Sequence, residues 1–174
     1  LYAAQGFNVI ATANTRDRGV NEMSAALKRR FNFETVPPIE QADEEMALVQ
    51  RETSRLLASA GVEAALPPDV AELLVTTFRE LRGAKTSDGK ALEPLTTAMS
   101  TAEAVSTGFA AGLHASYFGS GRITPEHIAL HVAATALKDA ADDLKKVRHY
   151  FNHVVKDRKG GHWAAYFEAR KMLD

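Results

Sequence analysis

From Glu40 onward, apolar residues recur every three or four positions and no stretch alternates as a strand would, so this part of the chain is confined to packed helices. Asp43 is placed to cap a helix that carries Met46, Val49, Thr53, Leu56 and Leu57 and ends near Gly61. Pro67-Pro68-Asp69 opens a second, with Val70, Leu73, Leu74, Phe78 and Leu81 on one stripe and Gly83 at its end. Residues 83–92 read as a polar loop. Ser100 and Glu103 fit a capping box, and the helix they open runs through Val105, Phe109, Leu113 and Tyr117 to Gly119. Thr124 as N-cap and Pro125 at the first helical position start another. Helical spacing continues through Leu137, Ala140, Leu144, Val147, Phe151 and Val154. Beyond Gly160-Gly161 comes the aromatic run His162-Trp163-Ala164-Ala165-Tyr166-Phe167, which must dock on the chain's own helices or on a partner.

The first forty residues read differently. Phe7 to Ala13 is a short apolar run of the kind that fills a buried parallel strand, which would set Asn14 at a strand's carboxyl end, where ligands bind. Its amide there can orient a water or contact a phosphate oxygen, although an Asn in this position also simply closes a turn. A polar loop, residues 16–21, precedes a short helix with Met23, Ala26, Leu27 and Phe31 at helical spacing and Asn21 or Ser24 as its cap. Arg29 and Arg30 fall at the end of that helix. Cations there complement the macrodipole, and a guanidinium on a rim also suits bidentate capture of phosphate. Phe31 to Val36 alternates apolar and polar as a second strand would, until Pro37-Pro38 stops it.

The run ending in Asn14, followed by a short helix ending in Arg29-Arg30-Phe31, resembles the second half of an AAA+ ATPase core. The four helices after it resemble the lid of that family, and Ile123-Thr124-Pro125-Glu126-His127 resembles the start of the last lid helix in the MoxR-like branch. The resemblance implies a mainly α chain: the end of an α/β P-loop core with two short strands and a helix (residues 1–39), a helical lid (40–135) and a C-terminal helical extension (136–174). It implies Asn14 as sensor 1, positioning the attacking water, and Arg30, directly before Phe31, as the arginine finger in preference to Arg29. ATP and Mg²⁺ are the implied cofactors, held mainly by a preceding half. The implied partners are further copies in a ring, a hexamer, together with a client protein remodelled or matured in a chaperone-like way and a separate adaptor. Motion of the lid about Pro37-Pro38 would couple turnover to work.

Two departures from that pattern stand out. Gly83 to Gly89-Lys90-Ala91 is the nearest approach to a phosphate loop, and it is one residue too long, has no hydroxyl after the lysine and follows no strand. Asp43-Glu44 lacks the apolar strand of a Walker B pair. In the family both motifs come before sensor 1, so the resemblance implies a fragment beginning after them, inactive alone. At the turn where many members carry a sensor 2 arginine, this chain reads Ser100-Thr101-Ala102-Glu103-Ala104. The competing reading is a non-catalytic helical protein-interaction module whose arginines are helix-terminal charges.

Composition supports a soluble cytoplasmic protein. There is no cysteine for disulfides or thiolate metal sites, and no apolar run approaches the ~20 residues that span a bilayer. A net charge of −1, with the basic residues of the tail interleaved with acids, argues against a nucleic-acid binder. His127/His131 and His149/His153 are each four apart, on one helix face, but the Glu of a zincin motif and a third ligand are missing, so no metal is expected. No Gly-x-Ser-x-Gly nucleophile elbow occurs.

Overall fold

The computed structural model describes residues 3–12, 24–137 and 141–173. It divides between Pro37 and Pro38 into two units, residues 1–37 and 38–174.

In the first unit, Ser24 accepts a hydrogen bond on its hydroxyl from the Leu27 N–H and caps a four-residue helix, α1 (Ala25–Lys28). The two expected strands are a misreading: no β-strand occurs among the described residues, and the chain is almost wholly helical where it is regular. Residues 7–12 and 32–36 have no regular structure and leave Ile10 96% and Val36 85% exposed. The α/β core end is therefore corrected to irregular chain flanking one short helix. The physical reason is that a parallel strand is stabilised by ladders to its neighbours and by helices over both faces, and apolar content alone supplies neither.

The second unit is a helical assembly: α2 (Ala42–Ser59), α3 (Pro68–Gly83), α4 (Thr101–Phe118), α5 (Pro125–Ala136), α6 (Ala141–His153) and α7 (Gly161–Glu168), with short 3-10 turns at Val155–Asp157 and Ala169–Leu173. Nine of the sixteen residues of α3 are buried, making it the central helix. Around it, Val49 and Leu57 of α2, Ile128 and Val132 of α5 and Phe151 of α6 are fully or almost fully sequestered. The capping boxes at Ser100–Glu103 and Thr124–His127 are both formed, and Pro125 stands at the start of α5. Asp43 is not the cap of α2; Gln41 takes that place without a side-chain bond, and Asp43 lies in the first turn.

The face of α4 also differs from expectation. Val105, Phe109 and Leu113 are only half-buried and Tyr117 is exposed, whereas Ala104, Gly108, Ala111, Gly112 and Ala115 turn inward. Small residues let α4 approach α2 closely, so the buried face is defined by what is absent from the side chains. The aromatic terminal segment docks on the chain's own helices: Trp163 and Tyr166 are buried, and the Tyr166 ring lies 4.5 Å, centroid to centroid, from that of Phe151.

Candidate functional site

The short helix α1 sets the two arginines differently. Arg29 is the C-cap, and its Nε donates back to the Ala25 carbonyl at 3.3 Å. The Arg30 backbone N–H closes the turn onto the Leu27 carbonyl at 3.0 Å, while its side chain is exposed and has no ion pair among the described residues. Arg29 thus satisfies the helix end, and Arg30 presents an exposed guanidinium with no ion pair among the described residues. Asn14 lies outside the described residues.

The structure buries three carboxylates, each among its own donors, that the spacing rules passed over. Glu45, on α2, accepts from Arg79 at 2.7 Å, from both terminal nitrogens of Arg82 and from the Thr101 hydroxyl at 2.6 Å. Burial pushes its pKa up, but the hydrogen bonds from Arg82, Thr101 and Arg79 outweigh that and hold it below the ordinary carboxylate value. Glu80, on α3, accepts from the Tyr150 hydroxyl at 2.7 Å, from the Ser87 N–H at 2.8 Å and from Arg158, whose guanidinium also stacks 4.3 Å from the Trp163 ring centre. Burial and then the Glu80 charge raise the Tyr150 phenol well above its usual value, so it stays a donor. Asp143, on α6, accepts from the Thr96 and Thr97 N–H groups at 2.8 and 3.0 Å and from Lys146 at 3.2 Å. Its pKa is raised by burial and lowered further by those donors, for a net depression.

A signal for these acids exists in the sequence. Glu45 is in register with Val49, Thr53 and Leu57, and Asp143 with Val147 and Phe151, so each carboxylate occupies the apolar stripe of its own helix. With their oxygens taken up by these donors, they brace helices.

The nucleotide implied by the resemblance finds no cradle here. Phosphates bind at helix N-termini with free N–H groups and positive potential. In this chain α2 opens with Asp43, Glu44 and Glu45, α3 with Pro68 and Asp69, α4 with Glu103 in its capping box and α5 with Pro125 and Glu126. An open surface depression lined by Glu63, Pro67, Gly121 and Arg122 converges no set of phosphate donors. The starts of α2 to α5 therefore do not fit ATP and Mg²⁺ by themselves.

His127 and His131 do share a face of α5, where His114 of α4 joins them, and His149 and His153 stack at 3.9 Å. Among the described residues no group of three or more His, Asp or Glu is arranged to hold a metal ion, and no helix is long and apolar enough to cross a membrane.

Comparison with known proteins places these features. Residues 43–174 match the family model described as the YehL-like AAA+ ATPase C-terminal domain, and residues 1–31 match the AAA domain of the dynein-related subfamily. The uncharacterized protein YehL of Escherichia coli (strain K12) is 49% identical over 173 residues, covering 99% of this chain and 48% of that protein. The chain thus spans about half the length of the curated relative it matches. No solved structure matches. Neither family match specifies the MoxR-like branch. On the match across residues 43–174, the chain belongs to the family of YehL-like AAA+ ATPase C-terminal domains.

Proposed function

We propose that this chain is the C-terminal part of an AAA+ ATPase in which ATP hydrolysis drives remodelling or maturation of a client protein. The observation that carries the reading is the pair of arginines after α1, in a segment that matches an AAA domain: Arg29 is tied to its own helix, and Arg30 is exposed without an acidic partner among the described residues. Arg30 is the trans-acting finger, reaching the phosphates held by a neighbouring subunit of a homo-oligomeric, hexameric ring. Asn14 positions the attacking water in its own subunit. The MoxR-like start of α5 at residues 123–127 favours that branch, with a client delivered by a separate adaptor in the cytoplasm.

The test is ATP turnover by the full-length protein. Arg30→Ala is expected to lose about 10³-fold or more in rate while nucleotide binding persists, as for trans fingers generally. Mixing it with subunits that lack the upstream phosphate-loop lysine restores turnover, because those subunits still supply Arg30. If Arg30→Ala turns over normally, the finger assignment is wrong.

The position of Arg29 favours a second reading. Because its guanidinium already satisfies a helix carbonyl, both arginines would serve as C-terminal charges of α1 in a non-catalytic interaction module. That reading expects Arg30→Ala to be silent.

A further inference from the structure

The N-terminus of α5 is capped in an unusual way. A capping box normally uses Glu or Gln at the third helical position, and here that residue is His127. The backbone N–H of Thr124 donates to the His127 Nδ1 at 3.1 Å, and the Thr124 hydroxyl lies 2.9 Å from the same nitrogen. A backbone amide can only donate, so Nδ1 must be the unprotonated acceptor. In imidazolium both nitrogens carry hydrogen, and the bond donated by the Thr124 backbone N–H is then forbidden. The cation would also sit at the positive end of the helix.

Two further imidazoles stand against this cap. His114 of α4 lies 5.2 Å from His127, 5.7 Å from His131 and 5.4 Å from the Phe118 ring, centroid to centroid. The His131 Nε2 is buried with no hydrogen-bond partner, so a proton placed there meets no acceptor. Burial, followed by the neighbouring imidazoles, lowers the pKa of both His127 and His131, and Glu126 opposes this weakly at His127.

Several charged groups of the other elements packed on α5 are engaged with partners of their own. On α3, Arg79 and Arg82 bind Glu45. Glu80 binds Arg158, and Asp143 of α6 binds Lys146. Glu168 of α7 pairs with Arg170 and Lys171 of the final turn. His162 of α7 has its own buried, unpartnered Nε2.

We propose that His127 and His131 of α5, packed against the His114 ring of α4, form a proton-sensitive latch between α4 and α5, closed while these two imidazoles are neutral and released in mild acid by loss of the α5 cap. The latch belongs to the helical unit and operates whether or not Arg30 acts in catalysis. Folding stability is full above the ordinary imidazole value and falls as the pH drops below it, because the unfolded chain binds these protons more readily.

The experiment is histidine-resolved NMR titration of the full chain from pH 8 to 5, with amide exchange followed in parallel. The expected result is that His127 is unprotonated at Nδ1 at pH 8, that His127 and His131 titrate below the ordinary imidazole value, and that residues 128–132 lose protection as they do. His127→Gln keeps a capping side chain that does not titrate. Between pH 7.5 and 5 its melting temperature should fall roughly 2–4 °C less than that of the wild type. A His127 that titrates at or above the ordinary value, or protection over residues 128–132 that does not follow its titration, overturns the proposal without recourse to any variant.

Discussion

Glu45 concentrates more charge pairing than any other buried carboxylate in the helical unit. Its side chain is 1% exposed, while Arg79 and Arg82 keep 27% and 20% of theirs in solvent. Arg79 also donates to the carbonyls of Ile39 and Glu40, and Arg82 to that of Met99, so one carboxylate organises the approaches to both α2 and α4. Removing it strands two guanidiniums. Glu45→Ala is therefore expected to cost about 3 kcal/mol, the low end for a broken buried pair because the arginines retain some water. Urea unfolding at pH 7 measures it. The pH dependence follows from the depressed carboxyl. The stabilisation is fully present above the unfolded carboxylate value and is lost as the pH falls through the lower, folded one. Glu45→Gln should flatten the fall in unfolding free energy between pH 5 and 3, and an unchanged slope would show that other acids dominate. At this scale much of the cluster was hidden in the sequence. Glu45 interrupts the stripe of Val49, Thr53 and Leu57 in perfect register, but a stripe identifies a buried position without naming the arginines that neutralise it, which arrive from a helix more than thirty residues away.

At the seam of α2 and α4, glycine does the work of a large side chain. A Cβ placed on Gly112 would lie 2.6 and 2.8 Å from the two terminal carbons of Leu57, which is fully buried. Alanine in a helix interior normally gains about 1 kcal/mol over glycine. Overpacking a closed core costs about 1–3 kcal/mol, so Gly112→Ala is expected to destabilise by roughly 1 kcal/mol on balance. Gly83, at the end of α3, has nothing within 4 Å of such a carbon, and Gly83→Ala should stabilise by a few tenths up to about 1 kcal/mol. Opposite signs for these two substitutions, read from denaturant midpoints, would establish that the seam is set by steric approach and not by helix propensity. The same seam explains why the inward face of α4 was misassigned from the sequence. Alanine and glycine carry little hydrophobic weight, so Val105, Phe109 and Leu113 dominated the pattern although they line the flank. The Ser100 capping box and the Thr124 N-cap were legible because they are local chemistry, whereas the start of α2 was misassigned to Asp43 in place of Gln41. Strands were not, because residues 7–12 and 32–36 have strand-like composition but no ladder partner among the described residues, and pairing is a property of neighbours.

Across the whole helical unit, the question is whether the tail is an appendage or part of the core. The chain's only tryptophan, Trp163, is buried on α7 beneath the Arg158 guanidinium, which in turn reaches Glu80 on the central helix, where the Tyr150 hydroxyl of α6 also binds. The link therefore runs from the tail to the last turn of α3 through a buried acid, and peeling the tail away would leave that acid short of its cation. Local detachment is thus coupled to loss of the core. Tryptophan fluorescence and far-ultraviolet circular dichroism should accordingly report one coincident thermal transition. Arg158→Ala should lower both midpoints together, by an amount corresponding to about 1.5–3 kcal/mol for a lost hydrogen bond to a charged group. If the tail were merely laid on the surface, fluorescence would change at a lower temperature than helicity in the wild type, and Arg158→Ala would move only the first transition. Coincidence in both proteins would make residues 38–174 a single cooperative unit, so that any force applied at the tail is felt at α3.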